Sequence, residues 1–208
     1  MSYEVQKRIL DILVASFLII LFLPFWIVIP ILILIDSGRP VFYKHKRLGK
    51  NGREFYLWKF RSMVQNADQI LHQQNSEMLK KFKEGDWKFK ADEDPRITKL
   101  GKVMRAVTID EFPQLVNVLL GDMSMVGPRA YLKEELEAQT QKYPETKKYL
   151  KEILSVKPGI TGPWQVSGRN EIPFDDRARL DAEYAHNHSI WLDLKILFRT
   201  PRAMLSKW

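Results

Sequence analysis

The chain has no cysteine. Disulfides and thiolate-bound metals are therefore excluded. Histidine is scarce, at four in 208 residues. The pair nearest in sequence, His186-Asn187-His188, reads as two solvated loop residues rather than as metal ligands. No internal repeat and no low-complexity tract breaks the chain. Charge is missing altogether from Ile12 to Ile35, a run of 24 residues rich in Ile, Leu, Phe and Val. As a straight helix this run measures roughly 36 Å, against about 30 Å of bilayer hydrocarbon. The apolar core of a signal peptide is about 7–15 residues, and no small-residue cleavage site follows here. The run reads as membrane-inserted, over residues 1–36, rather than as a buried helix of a soluble protein.

Its path through the bilayer has two readings. Lys7 and Arg8 precede the run, and Arg39, Lys44, Lys46 and Arg47 follow it. Positive charge favours the cytoplasm, and both flanks are positive. Pro24 at the centre and Pro30 beyond it remove backbone donors and kink a helix. A bend at Pro24 would let the segment enter and leave on one side as a re-entrant hairpin, with Asp11 and Asp36 at the interface. A kinked single span with the larger basic flank inside is the other reading. In both, the rest of the chain, residues 37–208, faces the cytoplasm.

What is present in excess is positive charge, +8 overall with a pI near 9.5. That balance suits nucleic acid, an anionic membrane or a phosphorylated substrate. The length suits one domain, or one domain plus an anchor. Asn51-Gly52 between Val41-Phe42-Tyr43 and Glu54-Phe55-Tyr56-Leu57-Trp58 predicts a β-hairpin over 41–61. Periodicity predicts helices over 64–82, 98–106, 111–120, 131–154 with a break near Pro144, and 174–186. Residues 83–99 and the Gly- and Pro-rich 155–173 read as loops. Residues 190–207 mix Trp191, Leu194, Leu197 and Phe198 with Lys195, Arg199 and Arg202. This fits either a basic amphipathic helix on a membrane or a core-facing helix with a solvated side. The fold class expected is α+β and mostly helical, with a small hairpin and amphipathic interfacial helices.

Two adjacent carboxylates, Asp110 and Glu111, stand out. Thr108-x-x-Glu111 matches a capping box, so one reading is that Glu111 caps a helix and Asp110 complements its dipole. The other is chemical. An ionised Asp at a helix start suits Mg²⁺, which prefers oxygen ligands, or attack on phosphorus. Cations accompany the pair. Lys59 and Arg61 end the hairpin, and Arg105 precedes Asp110. Arg129 follows Gly127-Pro128, and Arg169 follows Gly168. Arginine near turn glycines suits phosphate, which guanidinium binds bidentately.

Arg105 through Leu115, Gly121-Asp122-Met123-Ser124-Met125-Val126-Gly127-Pro128-Arg129, Lys157-Pro158-Gly159-Ile160-Thr161-Gly162 and Trp164-Gln165-Val166-Ser167-Gly168-Arg169-Asn170 together resemble the bacterial sugar transferases. These are the monotopic polyprenyl-phosphate phosphoglycosyl transferases. Lys7-Arg8-Ile9-Leu10-Asp11 and Trp191-Leu192-Asp193-Leu194-Lys195-Ile196-Leu197 also resemble the family. The resemblance implies a re-entrant helix broken near Pro24. It implies that Asp110 attacks the β-phosphate of a UDP-sugar, UMP leaves, and undecaprenyl phosphate then takes the sugar phosphate. Mg²⁺ near Asp110 would screen the diphosphate, and Glu111 would assist. Lys59, Arg105 and Arg129 match positions that contact phosphate, and Arg61 and Arg169 are further substrate-binding candidates.

The same resemblance places the protein at the cytoplasmic face of a bacterial inner membrane, in polysaccharide or glycoconjugate synthesis. Partners expected are the UDP-sugar, undecaprenyl phosphate and membrane lipid. A homodimer stays open, and nucleic acid is not expected. The 64–94 stretch resembles forms serving exopolysaccharide or O-antigen synthesis, which suggests a glucose or galactose phosphate. The chain looks like a minimal catalytic unit. Ala130 and Pro163 depart from the family pattern, at positions where a second proline and an apolar residue such as leucine are common. They bear on how Arg129 is aimed and on the sugar pocket. Two other functions stay in view. A membrane-anchored basic binding module without catalysis would be indifferent to Asp110. A transferase passing sugar alone would release UDP.

Overall fold

The apolar run folds as two helices, α1 (Tyr3–Leu21) and α2 (Leu23–Ser37), which break at Phe22 with a bend of 62°. Neither is long and apolar enough to cross a membrane alone, and together they match a broken span or a re-entrant loop. Pro24 explains the break's position. It sits in the first turn of α2, where its missing N–H is no loss. In a continuous helix it would have cost a hydrogen bond and a clash. This computed structural model describes residues 2–73, 76–85, 87, 89, 93–168 and 171–204.

The remaining elements follow in order. Strands β1 (Phe42–Leu48) and β2 (Glu54–Phe60) form a two-stranded sheet. Their short connection makes the pair antiparallel, since a parallel pair needs a long crossover. Then come α3 (Ala67–Gln73), α4 (Ser76–Glu84), α5 (Lys99–Ala106) and a 3₁₀ turn at Ile109–Glu111. Next are α6 (Gln114–Leu120), β3 (Ser124–Val126), α7 (Lys133–Lys142) and α8 (Lys147–Ile153). Last are β4 (Gly159–Thr161), α9 (Pro163–Ser167), α10 (Phe174–Asn187) and α11 (Ile190–Met204). The class is α+β and mostly helical, as the sequence predicts.

The elements differ from expectation at two places along the chain. The single helix over 64–82 is α3 and α4 instead, with residues 74 and 75 outside the described set. The loop over 155–173 holds β4, which pairs in parallel with β3, Ser124 opposite Gly159 and Val126 opposite Thr161. The glycines that suggested a loop serve this pairing. A Cβ on Gly159 would lie 2.1 Å from the Gly127 nitrogen. Only glycine permits that approach.

The chain divides into two compact units. One comprises, among the described residues, 2–22, Lys44–Trp58 and 113–204. Its main core gathers Ala15 of α1, Phe55 and Leu57 of β2, Leu115 and Val118 of α6, Met125 of β3, Tyr184 and Ile196. Buried Asn117 ties α6 to β2 by accepting from the Trp58 N–H and donating to the Tyr56 carbonyl. A second cluster joins Tyr131, Leu136, Ile153 and Phe174.

The charged base of α1 is built into this unit. Asp11, expected at the membrane interface, is only 3% exposed. It accepts hydrogen bonds from the Ser124 hydroxyl and the Met125 N–H, both at 2.9 Å. Arg8 donates to the Val118 and Leu119 carbonyls at 2.6 and 2.7 Å, capping the C-terminal end of α6. Lys7 pairs at 2.9 Å with buried Asp193, which also accepts from Tyr3 and Tyr184. Motifs from the two ends of the chain thus meet in one network.

The second unit comprises Leu23–Tyr43 and Lys59–Phe112. Its core joins Ile29 and Ile33 of α2 to Phe60 of β2, Met104 of α5 and Ile109 of the 3₁₀ turn. Trp26 meets Phe60 edge-on, and Phe42 stacks on it.

In the first unit, Asp181 of α10 is fully buried and accepts from the Arg129 N–H and the Tyr131 hydroxyl. Burial raises its pKa to about 7, although those hydrogen bonds pull the other way. A carboxyl raised in the folded state stabilises most below its unfolded pKa and loses that contribution as pH rises through the folded value. Between about pH 4 and 7, the melting temperature should fall more steeply for the wild type than for Asp181→Asn. Parallel profiles for the two proteins would show that Asp181 is not the titrating group.

Candidate active site

Asp110 and Glu111 occupy the 3₁₀ turn rather than the start of α6, which begins at Gln114. Thr108 does not close a capping box. Its φ is 59°, in the left-handed region, and its side chain makes no capping bond. That conformation costs a β-branched residue roughly 1–3 kcal/mol. The turn is stitched by the Thr108 N–H to the Arg105 carbonyl and by the Glu111 and Phe112 N–H groups to the Thr108 and Ile109 carbonyls. Ile109 anchors it in the core of the second unit.

The result is an exposed edge and a buried acid. Glu111 accepts a 2.6 Å hydrogen bond from Lys59 Nζ, and both side chains are partly exposed. Asp110 is 4% exposed, and its buried Oδ1 has no hydrogen-bond partner. Burial pushes the Asp110 carboxyl above the usual range. Lys59 pulls it back, Glu111 raises it, and Arg105 lowers it again. Lys59, Arg105 and Glu111 therefore all act electrostatically on Asp110.

Arg105 is held by its Nε–H, which donates to the Ser62 hydroxyl at 2.9 Å. Gly101, one turn earlier in α5, lets the helix press on Ser62. A Cβ there would lie 1.9 Å from the Ser62 carbonyl oxygen. Thr98 caps α5 by accepting from the Gly101 N–H.

The other cations stand differently. Arg61 is buried, and its Nη2 donates to the Ser37 carbonyl, the Ser37 hydroxyl and the Gly38 carbonyl. It caps the C-terminal end of α2, a task that sequence reasoning did not assign to it. Burial lowers its pKa. Arg129 belongs to the first unit. Its backbone N–H binds Asp181, its guanidinium lies 3.6 Å from Glu135, and it faces the rings of Trp164 and Tyr131. Arg169 lies outside the described residues. Sequence reasoning also missed Ser62 and Gly101. A serine and a glycine carry no signal until folding brings them together from 39 positions apart.

A metal fits this group in one way. Among the described residues no set of three His, Asp or Glu side chains comes together. Mg²⁺ commonly takes one or two carboxylates, with waters and substrate phosphates completing its shell. Unpartnered Asp110 Oδ1, with Glu111 beside it in sequence, meets that requirement.

Gly101→Ala should drive α5 off Ser62 and destabilise the protein by about 1–3 kcal/mol, read as a lower urea midpoint. Ser62→Ala, which removes only the Arg105 bond, should cost about 0.5–1.5 kcal/mol. An unchanged midpoint for Gly101→Ala would contradict the close packing.

The family model for bacterial sugar transferases matches residues 2–207. An undecaprenyl-phosphate galactose phosphotransferase of Salmonella typhimurium is 40% identical over 99% of the chain. The exopolysaccharide production protein ExoY of Rhizobium meliloti is 38% identical over 97% of the chain and 86% of its own length. An Aeromonas hydrophila protein named as a UDP-N-acetylgalactosamine-undecaprenyl-phosphate N-acetylgalactosaminephosphotransferase is 37% identical over 98% of the chain. The chain spans less than half the length of the Salmonella and Aeromonas relatives, 42% and 44%. Matched from end to end by the family model, and carrying the buried acid on its motif, this chain belongs to the bacterial sugar transferase family.

Proposed function

We propose that the protein transfers a sugar 1-phosphate from a UDP-sugar to undecaprenyl phosphate, through a covalent intermediate on Asp110. The observation that carries the reading is Asp110 itself. It is buried, has one oxygen free of hydrogen bonds, and lies within the fields of Lys59 and Arg105. The names of the relatives support the acceptor and the class of donor. Glucose or galactose is the proposed sugar, and a relative named for N-acetylgalactosamine at similar identity marks how readily the sugar varies in this family.

The reaction balances in two displacements. An Asp110 carboxylate oxygen bonds to the β-phosphorus as the bond to UMP breaks, and UMP leaves with the electron pair. A phosphate oxygen of undecaprenyl phosphate then bonds to the same phosphorus, and Asp110 departs as a carboxylate. One phosphoanhydride is consumed, one is formed, and the acid is restored. Splitting the exchange lets a water-soluble donor and a membrane-bound acceptor use one site in turn.

Lys59 and Arg105 favour the ionised form of Asp110 against its burial and offset charge on the transferring group. Glu111 holds the Lys59 ammonium in place. Mg²⁺, held by Asp110 and Glu111, would neutralise the donor diphosphate. Arg129 and Arg169 enter as phosphate contacts on the resemblance alone. α2 in the same unit, and exposed Trp191 and Phe198 on basic α11, fit work at the cytoplasmic face of the inner membrane.

Purified protein given undecaprenyl phosphate, Mg²⁺ and a panel of UDP-sugars should release UMP with one or a few of them. Asp110→Asn should lower that rate at least about 10³-fold. Release of UDP instead would mean transfer of sugar alone. Equal rates for mutant and wild type would remove Asp110 from the chemistry.

A further inference from the structure

A second cationic site lies in the first unit and shares no residue with the Asp110 group. The N-terminal turns of α1 and the segment before β4 line a pocket that includes Lys7, Arg8, Asp11, Lys50, Lys157 and Tyr184. Most of its charges are already engaged. Lys7 pairs with Asp193, and Lys50 reaches Glu4 at 3.4 Å. Asp11 Oδ1 is taken by Ser124 and Met125.

Lys157 is the exception. It is half-buried, and its ammonium makes no hydrogen bond or ion pair among the described residues. It faces another cation. A point one Cβ bond from Gly121 lies 3.6 Å from Lys157 Nζ and 3.8 Å from Arg8 Nη2. Arg8 spends one hydrogen bond from each terminal nitrogen on neutral carbonyls, which leave its charge uncompensated. Burial and the nearby Arg8 both lower the Lys157 pKa, and Asp11 and Glu4 offset them in part. Two cations converging on one pocket call for an anion.

Position selects the anion. Lys7 and Arg8 precede the apolar run by four to five residues. That is roughly 6–8 Å along a helix, the depth of the headgroup layer beside the hydrocarbon. We propose that this pocket binds the phosphate of an anionic membrane lipid, held by Lys157 and Arg8. Such a lipid would tie the base of α1 to the bilayer surface independently of catalysis.

The test uses the full chain in neutral detergent, titrated with phosphatidylglycerol or phosphatidylcholine, with bound lipid counted by native mass spectrometry. The wild type should prefer phosphatidylglycerol. Lys157→Gln should weaken its binding roughly fivefold, while Lys157→Arg and Lys147→Gln, at an exposed site outside the pocket, retain it. Should Lys157→Gln fail to fold, Lys50→Gln at the rim should still show a smaller loss. Equal losses for Lys157→Gln and Lys147→Gln would reduce the effect to diffuse surface charge and overturn the proposal. Displacement of the lipid by equimolar inorganic phosphate would assign the pocket to a soluble anion and overturn the choice of lipid.

Discussion

Taking a carboxyl out of water and leaving one oxygen without a hydrogen bond costs free energy. The second unit is organised around that cost at Asp110. A left-handed threonine sets the path of the turn, and Ile109 pins it to the core. Gly101 lets α5 close on Ser62, which fixes Arg105. Glu111 draws Lys59 in from the end of the hairpin. The cations offset the burial of Asp110 only in part, so its pKa stays raised. The carboxyl is thereby shielded from solvent, with one oxygen free of hydrogen bonds.

The same unit ties an apolar helix to the Asp110 turn. Ile29 and Ile33 of α2 share a hydrophobic cluster with Ile109, next to Asp110 in the chain. Arg61 fastens the far end of α2 through three hydrogen bonds. The first unit treats α1 likewise. Lys7, Arg8 and Asp11 each have a protein partner. Charges that a topology argument counts as flanks of a membrane segment are thus structural bonds as well.

Much of this was legible in the sequence, for local reasons. Asn51-Gly52 marked the hairpin because both residues adopt positive φ, 58° and 73°. Pro24 marked the helix break, and the 3.6-residue period marked α10 and α11. Lys59, Arg105, Asp110 and Glu111 were singled out by residue type and motif, and the fold brings them together. What failed was anything decided at long range. β3 and β4 are three residues each and gain their partners only by a crossover. The capping box was a sound local pattern, but Lys59 captured Glu111 from 52 positions away. Asp11 looks like a solvated interfacial acid until the fold buries it.

The central claim is a covalent bond between Asp110 and a sugar phosphate. The most direct measurement mixes the protein with its UDP-sugar and no lipid acceptor, quenches, and maps the digest by mass spectrometry. The account predicts one added sugar phosphate on the peptide containing Asp110, absent from Asp110→Asn and discharged when undecaprenyl phosphate is supplied. Product formation by a wild type that never carries the adduct, or an adduct on another residue, would contradict it.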